Sequence, residues 1–491
     1  MWAYSRPLKP TSRKWSALLL VDRLIKFLSC WAVIALVWTG AALAASPPQA
    51  SSQVLGVREK LPNGLVWLFS EQSGLPLVTV KLLVKAGTLQ DPQGKEGLAN
   101  LTASLLMSGT KKRTAAQIAE ELDFLGAKLG AEGGDDFAQL SLTALKKDLA
   151  PGLELFQDVL LNPAFAPPEV SRKRAQILAS LTSDEDEPMV VASRTFNKDL
   201  FGAFPYGHPV RGTKEGLAAV TPKDLSEFHR RYWRPNNAIL CVAGDLTLEE
   251  AQKWVARIFG PWQAGEIPAA KLPPIPPLSA PKVVMINKDI SQANIILGNL
   301  GITRANPDFY ALQVMNYILG GGGFASRLLD NIRVNRGLAY SVSSQFNPGL
   351  EPGPFAVALE TKNASAKEAV EQVLSEIKRI REQPVSDSEL NDAKSFLIGS
   401  FPRKMDALSK RAWLMGYAEF YGLGLDYPWR YPELIRNLTA GEIQKAAWKY
   451  LHPDKFLLVV VGKKSEIPPL FGAASPSGGE EKKDVQKKTD N

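Results

Sequence analysis

Three histidines, His208, His229 and His452, are all the imidazoles this chain offers to metal or acid–base chemistry. Two imidazoles grip one metal when they stand a helical turn apart, and none of these is spaced i, i+3 or i+4 from another. Each reads as a satisfied structural or surface residue. His208 sits in a Tyr-Gly-His-Pro loop, His452 precedes a proline, and His229 falls within a helical pattern. The carboxylate run Asp184-Glu185-Asp186-Glu187 could attract a cation, although a solvated helix end is the commoner use of such a run. Arg333 and Tyr340 offer a guanidinium and a phenol, both good donors to a peptide carbonyl and able to stabilise developing oxyanion charge. They follow the run Gly320-Gly321-Gly322-Gly323-Phe324-Ala325-Ser326-Arg327-Leu328-Leu329, which lacks the Gly-Lys-Ser/Thr of a phosphate-binding loop. That run reads as a flexible turn into a helix whose buried face is Leu328, Leu329 and Ile332.

The elements that must position these groups come in two copies. Thr221 to Gly244 aligns without a gap to Thr439 to Gly462, at an offset of 218 residues. The match pairs Tyr232 with Tyr450, Pro235 with Pro453, Leu240 with Leu458 and Gly244 with Gly462. Each copy has a Thr N-cap, an amphipathic helix, a proline-containing turn and a buried apolar strand. The inference is a duplicated α+β domain. The first unit spans 54–263 and opens on a hairpin turn at Pro62-Asn63-Gly64. A Pro/Ala-rich linker covers 264–281, and the second unit, 282–467, opens on a strand at Lys282–Asn287. Helices are expected at 115–126, 149–161, 168–183, 366–383 and 387–401, covering an antiparallel-rich sheet on one face. The polar, charged tail 468–491 reads as disordered. Cys241 lies in an apolar strand pattern and reads as a structural thiol.

Gly97 to Thr110, Gly-Leu-Ala-Asn-Leu-Thr-Ala-Ser-Leu-Leu-Met-Ser-Gly-Thr, resembles the segment that carries the inverted zinc motif H-x-x-E-H in the insulinase/pitrilysin peptidase family. The resemblance runs over nearly the whole mature chain, including Pro205-Tyr206-Gly207-His208-Pro209 and Leu328 to Val342. It implies that the two imidazoles and the general-base glutamate are replaced by Asn100, Ser104 and Ala103, and the distal carboxylate ligand by Ser180. Amide, methyl and hydroxyl groups do not supply the donors zinc requires. The resemblance further implies that Arg333 and Tyr340 reach the substrate backbone at the scissile bond. It implies two homologous domains enclosing a central chamber, lined by the helix at 98–108 and the Arg/Tyr region. One branch of the family divides the work between a zinc-bearing chain and a chain that keeps the Arg/Tyr pair. Non-catalytic relatives also occur in mitochondrial processing peptidase and the respiratory bc1 complex.

The expected function is therefore a non-catalytic, peptide-binding subunit of a heterodimeric zinc endopeptidase. No cofactor is expected in this chain, and zinc is expected in a paralogous partner subunit. The alternatives are a peptide-binding or scaffold protein of the envelope, and a zinc peptidase with an unrecognised metal site. The 491 residues carry a net charge of +8, but the first 44 hold six basic side chains against one acidic, leaving +3 for the remainder. The balance does not support nucleic-acid binding. Residues 1–45 read as an export signal ending in Ala42-Leu43-Ala44, with an uncleaved anchor through residues 27–43 as the alternative. The expected location is the periplasm or cell envelope. Cys30 lies in this leader, so the mature chain would keep Cys241 alone.

Overall fold

The computed structural model describes residues 53–470; the segment read as a leader, with Cys30, and the residues from 471 lie outside them. Two sheets organise the described chain. The first contains β1 (Val57–Lys60), β2 (Val66–Glu71), β3 (Leu77–Val84), β4 (Lys128–Glu132), β5 (Ala138–Leu145) and β6 (Ala238–Gly244), in the order β1-β2-β6-β3-β5-β4. The second contains β7 (Lys282–Asn287), β8 (Gln292–Leu300), β9 (Ala339–Phe346), β10 (Pro354–Lys362) and β11 (Leu457–Gly462), in the order β7-β11-β8-β10-β9. Apart from β1, the two orders correspond strand for strand. The single parallel pairing falls at the same place in each, β2 with β6 and β7 with β11, and every other pairing is antiparallel.

Local chemistry accounts for the landmarks. Gly64, at φ +89°, closes the turn between β1 and β2, and the Asn63 side chain accepts from Leu65 N at 3.2 Å. Thr221 and Thr439 each form a capping box, with Asp224 and Glu442 as reciprocal partners, opening Pro222–Tyr232 and Ala440–Tyr450. Those helices deliver the chain to β6 and β11, whose residues are all buried. The expected helices form at Ala115–Leu125, Leu149–Leu161, Pro167–Ser183, Ala366–Glu382 and Asp387–Ser400.

The layering differs from a sheet covered on one face. The first sheet packs Trp67, Leu82, Leu140 and Leu142 against helices of its own half. Its opposite face, with Leu68, Leu83, Ile239 and Cys241, joins a core that includes Ala412 and Met415 of the helix Leu408–Phe420. That helix belongs to the second half. Reciprocally, Ala192, Phe196, Leu200 and Phe201 of the first-half helix Pro188–Phe201 bury against Ile296, Leu457, Val459 and Val461 of the second sheet. Each large apolar side chain hidden this way contributes about 2–3 kcal/mol. Two glycines make the exchange possible. A Cβ on Gly416 would meet Leu83 at 2.9 Å and Cys241 Sγ at 3.0 Å, and one on Gly298 would meet Phe196 at 3.0 Å. The halves form one interlocked unit.

Candidate functional site

The short helix Leu98–Leu105 carries the first group of candidate residues. Its N-terminus is fixed by Asp91, whose carboxylate accepts from Gly97 N at 2.8 Å and Ala99 N at 2.7 Å. Burial nevertheless pushes the Asp91 carboxyl up to about 7, against the pull of those two amides. Ala103 faces the core and is fully buried, while Asn100 and Ser104, one turn apart, are half-buried. The Ser104 hydroxyl donates back to Leu101 O at 3.1 Å. The turn between β4 and β5 closes over Asn100, and a Cβ at Gly133 would lie 2.7 Å from its Cα.

Ser180 lies near the end of Pro167–Ser183 and accepts a hydrogen bond from the Arg211 guanidinium. Arg211 also pairs with Asp184 at 2.6 Å, and Arg194 pairs with the same carboxylate. Glu185 pairs with Lys214 at 2.6 Å. The first two carboxylates of the 184–187 run are thus engaged by the chain's own cations. Sequence reading missed this network because Arg211 is thirty-one residues from Ser180, with no local pattern joining them.

Arg333 and Tyr340 do come together. Arg333 lies on a wide helical turn, Leu329–Asn335, and Tyr340 near the start of β9. The guanidinium carbon is 5.0 Å from the Tyr340 ring centroid and 5.1 Å from that of Phe324. Both rings are largely exposed, Tyr340 at 74% and Phe324 at 73%. The cation is held between two aromatic faces, and its N–H groups donate to no other group of the described chain. Phe324 is the functional candidate that sequence reading left unassigned. Its exposed position after four glycines was the available signal.

A pocket also opens between the halves. A space of about 800 Å³ between the halves is walled by Asp135, Asp136, Tyr206, Phe309, Gln345 and Tyr421 among others. None of Asn100, Ala103, Ser104, Ser180, Arg333 or Tyr340 lines it. The helix Leu98–Leu105 makes its main contacts within its own half.

The histidines are held individually. His229 Nε2 lies 2.8 Å from Leu160 O, and its ring stacks on Trp233. Burial pushes its pKa down to about 4, so the ring stays neutral and the nitrogen donates to that carbonyl. His208 Nδ1 contacts Pro209 O at 3.0 Å, and burial lowers the pKa of both His208 and His452. Among the described residues, no three His, Cys, Asp or Glu side chains converge where they could hold a metal ion. Cys241 is a buried free thiol whose pKa is raised by burial.

Residues 68–214 match the family profile described as insulinase (peptidase family M16), and residues 219–397 match that described as peptidase M16 inactive domain. A crystal structure of a peptidase M16 inactive domain from Pseudomonas fluorescens is 30% identical, with a TM-score of 0.79, covering 84% of this chain and all of that one (100%). The chain belongs to the insulinase (M16) peptidase family. A Rickettsia bellii relative named an uncharacterized zinc protease is 29% identical over 391 residues, 79% of this chain and 93% of its own. A Helicobacter pylori relative named a non-peptidase homolog is 26% identical over 401 residues, 81% of this chain and 92% of its own. A Helicobacter pylori protease structure, 19% identical with a TM-score of 0.76 over 83% of this chain and 100% of that one, shares the fold.

The M16 family implies zinc, and the residues present do not fit it. The positions to which the family resemblance assigns the imidazoles and carboxylates, Asn100, Ala103, Ser104 and Ser180, hold an amide, a methyl and two hydroxyls. The Ser180 hydroxyl faces a guanidinium, which would repel a divalent ion. This M16 chain therefore lacks the donor set for metal-assisted hydrolysis at that helix.

Proposed function

We propose that this M16 member is an inactive, peptide-holding chain that works beside a zinc-bearing paralogue in a two-chain endopeptidase. The observation that carries the reading is the Arg333 guanidinium, held over the Phe324 and Tyr340 rings with its N–H donors bonded to no group among the described residues. A guanidinium restrained by aromatic faces has already lost much of its rotamer freedom, so less entropy is lost when it bonds a peptide carbonyl. Tyr340 lies on β9, an outer strand of its sheet, so an extended peptide that adds to this edge would pass the phenol. Hydrolysis would fall to the partner, and export to the envelope would place both chains with extracytoplasmic peptides. In the test, the chain is mixed with a paralogue bearing an intact H-x-x-E-H and peptide cleavage is measured. Replacing Arg333 or Tyr340 should lower turnover about 100-fold with the complex intact, a loss typical of removing one oxyanion donor. Unchanged turnover would remove the pair from the mechanism.

A second reading, a peptide-binding scaffold without proteolytic role, is favoured by the name non-peptidase homolog carried by the Helicobacter pylori relative. It predicts Arg333-dependent peptide binding that no paralogue converts to cleavage.

A further inference from the structure

The cavity of about 800 Å³ between the halves has a wall of unusual charge. Its lining includes two carboxylates, Asp135 and Asp136, and no lysine, arginine or histidine. Much of the remaining wall is aromatic or amide, with Tyr206, Phe309, Tyr421 and Gln345 as examples. Among the described residues, neither carboxylate forms an ion pair. Asp136 is 6% exposed, and its oxygens accept from Tyr206 Oη, from Tyr421 Oη at 2.6 Å and from Leu350 N at 2.9 Å. That carboxylate is saturated by neutral donors drawn from both halves. Arg304 lies outside the lining, 2% exposed, with its guanidinium donating to the Tyr417 and Tyr427 hydroxyls.

Asp135 is different. Its backbone is pinned, with the carbonyl accepting from Leu89 N at 3.2 Å, while its carboxylate takes a long 3.3 Å bond from Thr88 alone. Asp135 is an exposed residue on the cavity wall, and desolvation by that wall together with the charge of Asp136 pushes its pKa up to about 6. The volume is that of a small-molecule or short-peptide site, and rings beside an anion suit a cation on an apolar body.

We infer that this cavity binds an organic ammonium ion carried on an aromatic or aliphatic body, with Asp135 as its counter-ion and the tyrosine and phenylalanine rings as its walls. The inference is independent of the peptide-holding role of Arg333 and Tyr340, neither of which lines the cavity. The ammonium could be that of a free amine or of a peptide amino terminus.

Isothermal titration of the purified chain with phenethylamine, phenethyl alcohol and 3-phenylpropionate tests it. The amine should bind saturably, with the alcohol and the acid weaker by about tenfold or more, the worth of one charge-assisted contact. Asp135→Asn should weaken the amine by about the same factor and leave the alcohol unchanged. Arg333→Ala should change neither, which separates this site from the proposed peptide clamp. A Phe-Ala-Ala amide that binds more tightly than phenethylamine, and loses that affinity on N-acetylation, identifies the ligand as a peptide terminus; the reverse order identifies a free amine. Equal affinity for amine and alcohol, no binding of either amine, or no effect of Asp135→Asn in a variant with an unchanged melting temperature would overturn the inference. The amine–alcohol comparison needs only the native chain, so it decides even if the variant folds poorly.

Discussion

Arg211 donates a hydrogen bond to the hydroxyl of Ser180, placing a positive charge at the position to which the family resemblance assigns a carboxylate ligand. On that assignment, the departure from the zinc motif is more than three missing ligands and a missing general base. Asn100→His, Ala103→Glu and Ser104→His together should not restore stoichiometric zinc, as measured by elemental analysis of dialysed protein. Adding Ser180→Glu should still fall short, because the new carboxylate would pair with Arg211. Zinc should appear only when Arg211 is also replaced by an uncharged residue. Stoichiometric metal in the triple variant would refute this account.

Phe324 should behave as a positioning residue for Arg333. An exposed cation–π contact is worth about 0.5–1 kcal/mol, so Phe324→Ala should weaken peptide binding by about two- to fivefold. Phe324→Tyr should retain binding, since it keeps the aromatic face. Fluorescence anisotropy with a labelled peptide would read both, and because the ring is exposed, thermal stability should not move.

The contact between Gly416 and Cys241 should be sensitive to a single methyl. Gly416→Ala places a carbon 3.0 Å from Sγ and 2.9 Å from Leu83, and should cost about 1–3 kcal/mol in urea unfolding. Combining it with Cys241→Ala should recover part of that loss, a non-additivity that a double-mutant cycle would report. Full additivity would show that the helix Leu408–Phe420 is seated differently.

His229 sets a pH dependence of stability. Its folded pKa of about 4 lies below the unfolded value near 6.5, so as pH falls through that interval the unfolded chain binds the proton and the folded chain does not. Its contribution to stability is intact above about pH 6.5 and declines by about 3 kcal/mol towards pH 4. His229→Gln, which keeps a donor for Leu160 O without titrating, should flatten that part of the urea-midpoint profile.

Glu389 works on the acid side. The Arg327 guanidinium, bonded to it at 2.6 and 2.9 Å, holds its carboxyl down at about 2. This stabilisation is present above the unfolded value of about 4.5 and is lost as pH falls towards 2. Because Arg327 is 9% exposed, Glu389→Ala leaves a nearly buried cation unpaired and should cost about 3 kcal/mol at pH 7, measured by urea unfolding. The loss should shrink at pH 3.

Much of the fold was legible because its signals are local. Thr221 and Thr439 announce helices through the residues three positions on, and the Asn63-Gly64 turn fixes the β1–β2 register. The exchange of Pro188–Phe201 and Leu408–Phe420 was not legible. An apolar stripe reveals that a helix is buried, but not which sheet receives it. The candidate site divides in the same way. The family resemblance singled out Asn100, Ala103 and Ser104 as a replaced motif, and Arg333 and Tyr340 as a retained pair. The Arg211 bond to Ser180 and the acidic cavity wall depend on distant segments meeting, which no short pattern encodes.

The crossed helices also bear on how such a molecule could arise. A lone ancestral unit of this design would leave one face of its sheet bare and its own crossing helix without a seat. Two copies would have completed one another as a symmetric dimer before any gene fusion joined them. The proline-rich segment between the halves is then the seam of that fusion, and fragments nicked there should remain bound until denatured.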